Sequence, residues 1–365
     1  MSKIAPKKKF KWTDEGPFEF LRIMASILTA LVVTFIVLCV VTKSFAIDIF
    51  INLLTYPSRS MFYFGYVLVK MVPLCFAGLA TLLYFRTGLF NLSTEGVFYI
   101  SGVVATWFAI NPNIMTGNEI IDTTICLLAA GVSGALIALI PGFLKAKLNA
   151  DEMVISLMLN SILFGIGYYI VINYLAISGI TGTASADFID TARLTKLIPK
   201  TQVHTGLIIM FVAVAAVYIL LFKTKLGYSI RMTGLNKSFA KYSGMSAFGL
   251  FMTVHVLAGF IGGLGSGVEL MGLYKKFSWS QLPGLGFTGA LMASIGKNHP
   301  IGVLIAAFGI SYLRAGAQLL ANSNPYIDIS MISIVEVILT LLISSQYFLR
   351  KWRGKQMLKE EQKNG

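Results

Sequence analysis

The sequence predicts an all-α, polytopic membrane protein with about ten transmembrane helices, one of them short or re-entrant, and with both termini cytoplasmic. Three observations carry this reading. Of 365 residues, 56% are hydrophobic and only 13% charged, with a mean hydropathy of +0.76, whereas soluble domains carry about 25% charged residues. The apolar residues gather in runs close to the roughly 20 that an α-helix needs to cross the hydrocarbon core. Lysine and arginine concentrate in alternate connections between those runs, as cytoplasmic segments do.

Taken in order, segment 1–19 is basic and begins like a signal peptide, "MSKIAPKKKFKW". The run from Phe20 to Val41 is nevertheless long enough to span and lacks a convincing small-residue cleavage site, so it is expected to stay as a first span. Further spans are expected from Phe62 to Phe85, Ser93 to Ile110, Ile120 to Leu144, Met153 to Leu175, Thr205 to Phe222 and Phe248 to Leu273. The next, Leu282 to Ile295, reads "LPGLGFTGALMASI", short and glycine-rich in the manner of a broken helix. Ile301 to Leu320 and Ile329 to Leu349 complete the set. The chain thus divides into a basic N-terminal segment (1–19), a single transmembrane domain (20–349) containing a cytoplasmic loop at 223–247, and a basic tail (350–365).

With the N-terminus inside, Arg86, Lys145, Lys147, the basic loop and the tail are all internal, and the outer segments keep only Lys43, Arg59, Arg193, Lys196, Lys200, Lys275 and Lys276. Were Leu282 to Ile295 not a crossing, the basic tail would lie outside. The long outer connection contains "SADFIDTARLTKL", expected as a short interfacial helix N-capped by Ser185. Gly259, Gly263 and Gly267 recur every four residues and predict close backbone packing against another helix.

The net charge of +14 is absorbed by topology, so nucleic acid is not an expected partner. The sequence contains no GxxxxGK followed by Ser or Thr, no GxSxG and no HExxH. Cys39, Cys75 and Cys126 lie singly in apolar runs, and the three histidines show no ligand spacing, so no metal site is expected. Ionisable residues in or beside spans are Lys70, Glu95, Glu269, Arg314 and Glu336. Each must sit near an interface, face protein or water, or serve function. Glu95, at a helix start, reads equally as a cap or as a pathway group. Lys70 and Arg314 read as snorkelling or paired residues, and Asn160 as an interhelical bond or a contact to solute hydroxyls.

The basic loop "KTKLGYSIRMTGLNKSFAKYSGMS" has five cations and no acid. Within it Asn236 is a good N-cap and Gly244 occupies the left-handed C-terminal position, predicting a helix of about two turns. A helix that short needs packing to be stable, and Phe239 and Tyr242, three apart, supply an apolar face for a protein partner. The alternative is a basic loop on anionic lipid.

The same loop, followed by "HVLAGFIGGLGSGVELMG", resembles the coupling region of ABC-importer permease subunits in the ribose, branched-chain amino acid and nucleoside branch. The matching positions are Leu226, Gly227, Ile230, Arg231, Gly234, Asn236, Ala240, Tyr242 and Gly244, with Phe239 replacing a usual alanine. "FRTGLFNLSTEG" resembles a second family element through Phe85, Arg86, Gly88, Phe90, Asn91, Glu95 and Gly96. "NADEMVISLMLNSI" matches a third through Glu152, Leu157, Met158, Leu159 and Asn160, with Asp151 in place of asparagine. "GLGFTGALMASIGKNHPIG" matches the fourth.

The resemblance is greatest to nucleoside-importer permeases. It implies a transport subunit rather than an enzyme, with no cofactor of its own and with ATP and Mg on a separate ABC ATPase. It implies a second, different permease subunit, a lipid-anchored substrate-binding protein, a small polar substrate and the cytoplasmic membrane of a bacterial cell. Arg231, Gly234, Asn236, Phe239, Ala240, Tyr242 and Gly244 are then ATPase-coupling residues, and Asn91, Glu95 and Asn160 line the substrate pathway. Simple sugars are the alternative substrate, and an ATP-independent secondary carrier is the rival class.

Overall fold

Every regular element among the described residues is helical, and the apolar runs decide where the long helices lie. The computed structural model describes residues 47–176 and 184–323, with isolated positions between 25 and 39. The expected spans at 20–41 and 329–349 and both basic termini fall outside the described residues. Two compact units are distinguished, Tyr56–Ala315 and a second made of Met1–Thr55 with Gly316–Gly365.

In the second unit α1 is Ile47–Thr55, a short helix the sequence did not lead us to expect. The larger unit begins with α2 (Met61–Arg86), whose N-cap Ser60 accepts the Phe62 N–H. There follow α3 (Thr94–Ala109), α4 (Glu119–Leu148) and α5 (Glu152–Ile170), which continues as a π turn over Val171–Leu175. Asn118 and Asp151 cap α4 and α5 through side-chain oxygens. Next are α6 (Gly206–Lys223), α7 (Lys225–Leu235), α8 (Lys237–Tyr242), α9 (Ala247–Leu273) and α10 (Leu285–Ile295). The last described helix, α11, is Pro300–Ser323. Among these, α2, α4, α5 with its π turn, α6, α9 and α11 are long and apolar enough to cross a membrane.

Helix α2 forms the middle of the larger unit. From Met71 to Tyr84 every residue is buried, as expected of a helix apolar all round and surrounded by other helices. The α4–α9 contact is made by small residues, as the glycine repeat predicts. A Cβ on Gly263 would lie 2.2 Å from the Ala130 carbonyl oxygen, and one on Gly134 would lie 2.3 Å from that of Gly259. Only hydrogen at these positions lets the backbones approach so closely.

The interfacial helix expected over "SADFIDTARLTKL" does not form, and only Asp190–Ala192 make a 3₁₀ turn. Ser185 is not a cap: its N–H donates to Phe277 O at 3.0 Å and its hydroxyl accepts the Phe277 N–H at 3.0 Å. The physical reason lies in neighbouring helix ends, whose last carbonyls need donors. Ile189 N–H donates to Ala109 O at the end of α3, and Leu194 N–H to Met271 O near the end of α9, both at 3.0 Å. The segment therefore closes one end of the bundle, with Phe188, Ala192 and Leu194 buried beneath it.

Candidate functional site

Side-chain contacts distinguish two ends of the larger unit. At one, Gly65 of α2 approaches Thr201 and Val203, and Gly272 of α9 approaches His204. At the other, Arg86 at the end of α2 donates from Nε to Asn298 O at 2.5 Å, and both Arg86 and Arg231 lie over the Phe222 ring. The chain from Tyr274 to Asn298 starts at the first end, where Phe277 meets Ser185, and finishes at the second. The expected broken segment thus runs from one end of the bundle to the other, built from an irregular arm and the half-length helix α10.

A helix that begins inside a bundle leaves its first N–H groups without intrahelical partners, and no water is there to replace them. Glu95 fills that need. Its carboxylate accepts the N–H of Gly284 at 2.6 Å and that of Gly286, and the side chain is buried. The positive end of the α10 dipole thereby meets a charge of this chain's own. Gly286 permits the approach, since a Cβ there would lie 2.7 Å from that of Glu95.

Helix α3 begins in the same region, after the turn 87–93, in which Leu89, Asn91, Leu92 and Ser93 are buried. Asn160 of α5 holds it with both ends of its amide: Oδ1 accepts the Gly96 N–H at 2.9 Å and Nδ2 donates to Leu92 O at 3.0 Å. Asn91 works within the turn. Its Oδ1 accepts the Ser93 N–H at 2.7 Å, and its Nδ2 meets His255 Nε2 at 3.0 Å. His255 Nδ1 lies 2.7 Å from Phe251 O, which can only accept, so the proton sits on Nδ1 and Nε2 receives the Asn91 N–H. Glu152 Oε2 accepts the Phe90 N–H at 2.9 Å, and Oε1 pairs with Lys145 at 2.7 Å.

Asn91, Glu95 and Asn160, expected in one pathway, are therefore brought together at the starts of α3 and α10, where they bind backbone. Sequence reading missed His255, a polar ring in an apolar run that opens one of the matching stretches. It also gave Glu152 no role, although the residue fell within a matching motif.

The basic loop is two helices. Thr224 Oγ1 accepts the Gly227 N–H at 3.1 Å and starts α7 directly beyond α6. At the far end of α7, Gly234 rests on the end of α2, where a Cβ would lie 2.1 Å from Arg86 O. Gly88, with φ of 75°, faces Gly234 from the turn. Arg231 packs its guanidinium 5.2 Å from the Phe222 ring centre. His299 lies nearby, its ring tilted 36° against that of Phe222, and burial, then the Arg86 charge, hold its imidazole below the usual range.

Helix α8 forms as expected. Asn236 Oδ1 accepts the Phe239 N–H at 3.0 Å. At its other end Met245 N–H donates to Ala240 O and Gly244 N–H to Lys241 O, the paired bonds of a Schellman cap, with Gly244 at φ of 78°. Leu235, Phe239 and Tyr242 are exposed by 80%, 49% and 89%, a run of apolar surface on a basic loop. Ala240 faces the other way and is buried, so it seats the helix.

A family model described as a branched-chain amino acid transport system permease component matches residues 63–344. A glucose ABC transporter permease protein of Haloferax volcanii is 31% identical, over 79% of this chain and 77% of its own length. A guanosine ABC transporter permease protein of Bacillus subtilis is 28% identical over 81% of this chain and 84% of its own. A nucleoside ABC transporter permease protein of Lactococcus lactis subsp. cremoris is 29% identical over 83% of each. No solved structure matches the chain. A bundle with a half-helix crossing, a short capped helix on a basic loop, and a family match spanning 63–344 agree: the chain belongs to the permease-component family of branched-chain amino acid transport systems.

Proposed function

We propose that this chain is the membrane permease subunit of an ATP-driven ABC importer for nucleosides in a bacterial cytoplasmic membrane. The observation that carries the reading is α8, a six-residue helix capped at both ends that presents Leu235, Phe239 and Tyr242. An exposed apolar face on a helix too short to stand alone calls for a protein partner. In this reading the partner is an ABC ATPase, which holds ATP and Mg, and the loop is cytoplasmic by its charge. The substrate class rests on the guanosine and nucleoside permeases to which the chain is similar over more than four fifths of its length.

The contacts around α7 and α8 support one coupling path. The ATPase moves α8, α7 carries that motion to Gly234, and Gly234 bears on Arg86 and Gly88 at the end of α2. The turn 87–93 leads from there to Asn91, Glu95 and Asn160, which fix where α3 and α10 begin. Displacing the turn therefore re-aims both partial helices together, the element of a switch between inward- and outward-open states. A second, different permease subunit completes the pathway, and a lipid-anchored binding protein delivers solute outside.

The relative named for glucose favours simple sugars as the second reading. Uptake by vesicles holding the whole transporter decides. Guanosine uptake that requires ATP and the binding protein is the expected result. Uptake of glucose but not guanosine would replace the substrate assignment, and guanosine uptake driven by an ion gradient alone would refute the ATP-driven reading.

A further inference from the structure

A second polar cluster lies among the long helices and takes no part in the contacts described so far. Glu269 belongs to the last turn of α9, and its Oε2 is buried with no hydrogen-bond partner among the described residues. Lys70 of α2 and Arg314 of α11 are both within electrostatic reach of it. Arg314 Nη2 lies 3.4 Å from Thr288 Oγ1 of α10, and Lys70 Nζ lies 5.5 Å from the Tyr66 ring centre. Tyr274, just beyond α9, borders the same group. Four helices thus bring two cations, one carboxylate, a hydroxyl and two tyrosines to one place.

A buried carboxylate oxygen without a donor is costly, and two cations near it temper that cost without saturating the oxygen. Ionisable residues within spans mark solute pathways more often than packing. We infer that Glu269, with Lys70, Arg314 and Thr288, is the solute-recognition site of the pathway, where the carboxylate accepts the ribose hydroxyls of a nucleoside. This rests on the nucleoside reading above. The chemistry fits in three respects. A carboxylate is the acceptor that adjacent hydroxyls of ribose call for, as in dinucleotide-binding folds. Lys70 supplies a donor for ring oxygen or base carbonyl, and Tyr66 and Tyr274 offer faces on which a base can stack. The Glu95 region is a poorer candidate, because its carboxylate already binds the N–H groups of Gly284 and Gly286.

The test compares uptake of guanosine and 2′,3′-dideoxyguanosine by the complete transporter in vesicles, for wild type and Glu269→Gln. The binding protein is common to both, so its own selectivity cancels. Glu269→Gln is expected to lower guanosine uptake about tenfold, the loss of one hydrogen bond to a charged acceptor, while dideoxyguanosine uptake changes little. The preference for the hydroxylated solute then falls by a similar factor. Lys70→Met removes an ammonium that balances the carboxylate and is expected to lower the same preference, which keeps the test decisive if Glu269→Gln is not recovered in the membrane. A wild-type preference retained in the recovered variants overturns this inference alone. If the wild type carries leucine and not guanosine, the nucleoside reading falls, and this inference with it.

Discussion

Glu95 shows how a residue with two open readings is decided by partners that lie far away in sequence. Its two N–H donors come from positions 189 and 191 residues later, so nothing local could reveal that it starts another helix. Asn160 is similar, with backbone partners 64 and 68 residues away. The legible part was the residue type, since a buried polar group in a span must find partners. Glu95→Gln keeps one carbonyl acceptor and turns an NH₂ toward the second N–H. It is expected to destabilise the permease by about 1.5–3 kcal/mol, the worth of a hydrogen bond to a charged group. Thermal unfolding of the purified permease in detergent measures this. An unchanged midpoint would show that Glu95 does not secure α10.

Elements were legible where their signals are local. Helix α8 needs only Asn236 at one end and Gly244 at the other, and both were read within one short stretch. Segment 185–197 was misread because its hydrogen bonds close the ends of α3 and α9, helices far removed in sequence. Helix α10 was recognisable as broken from its length and glycines, while its start inside the bundle depended on Glu95. A prediction at this scale concerns Gly244, which has a left-handed backbone and no atom near where a Cβ would stand. Conformation, not space, restricts the position. Gly244→Asn, which tolerates φ > 0, is expected to retain the ATPase on co-purification. Gly244→Val strains the cap by about 1–2 kcal/mol, enough to unseat a two-turn helix, and is expected to lose it. Equal retention by both variants would remove the cap from the docking role.

For the whole molecule, charge and hydropathy conveyed the multi-pass architecture, whereas the joints between helices came only from packing. The inside-positive reading predicts opposite accessibility for the two ends of the bundle. A cysteine placed at Ser243, in the α8 cap, should react with an impermeant thiol reagent only from the cytoplasmic side, and one at Lys276 only from outside. Labelling intact cells and inverted vesicles measures this, and labelling of both from one side contradicts the crossing by α9.

The joint at Gly234 carries the last prediction. A methyl group there would press on the Arg86 carbonyl oxygen, and backbone cannot yield as a flexible side chain does. Gly234→Ala should therefore part α7 from the end of α2 while leaving Leu235, Phe239 and Tyr242 free to bind a partner. The expected phenotype is an assembled transporter that hydrolyses ATP yet imports solute at least about tenfold more slowly, a barrier change of about 1.4 kcal/mol. Uptake measured beside ATPase activity in the same vesicles separates this from misassembly, in which both fall. Normal uptake by Gly234→Ala would show that the motion of α8 reaches the pathway by another route.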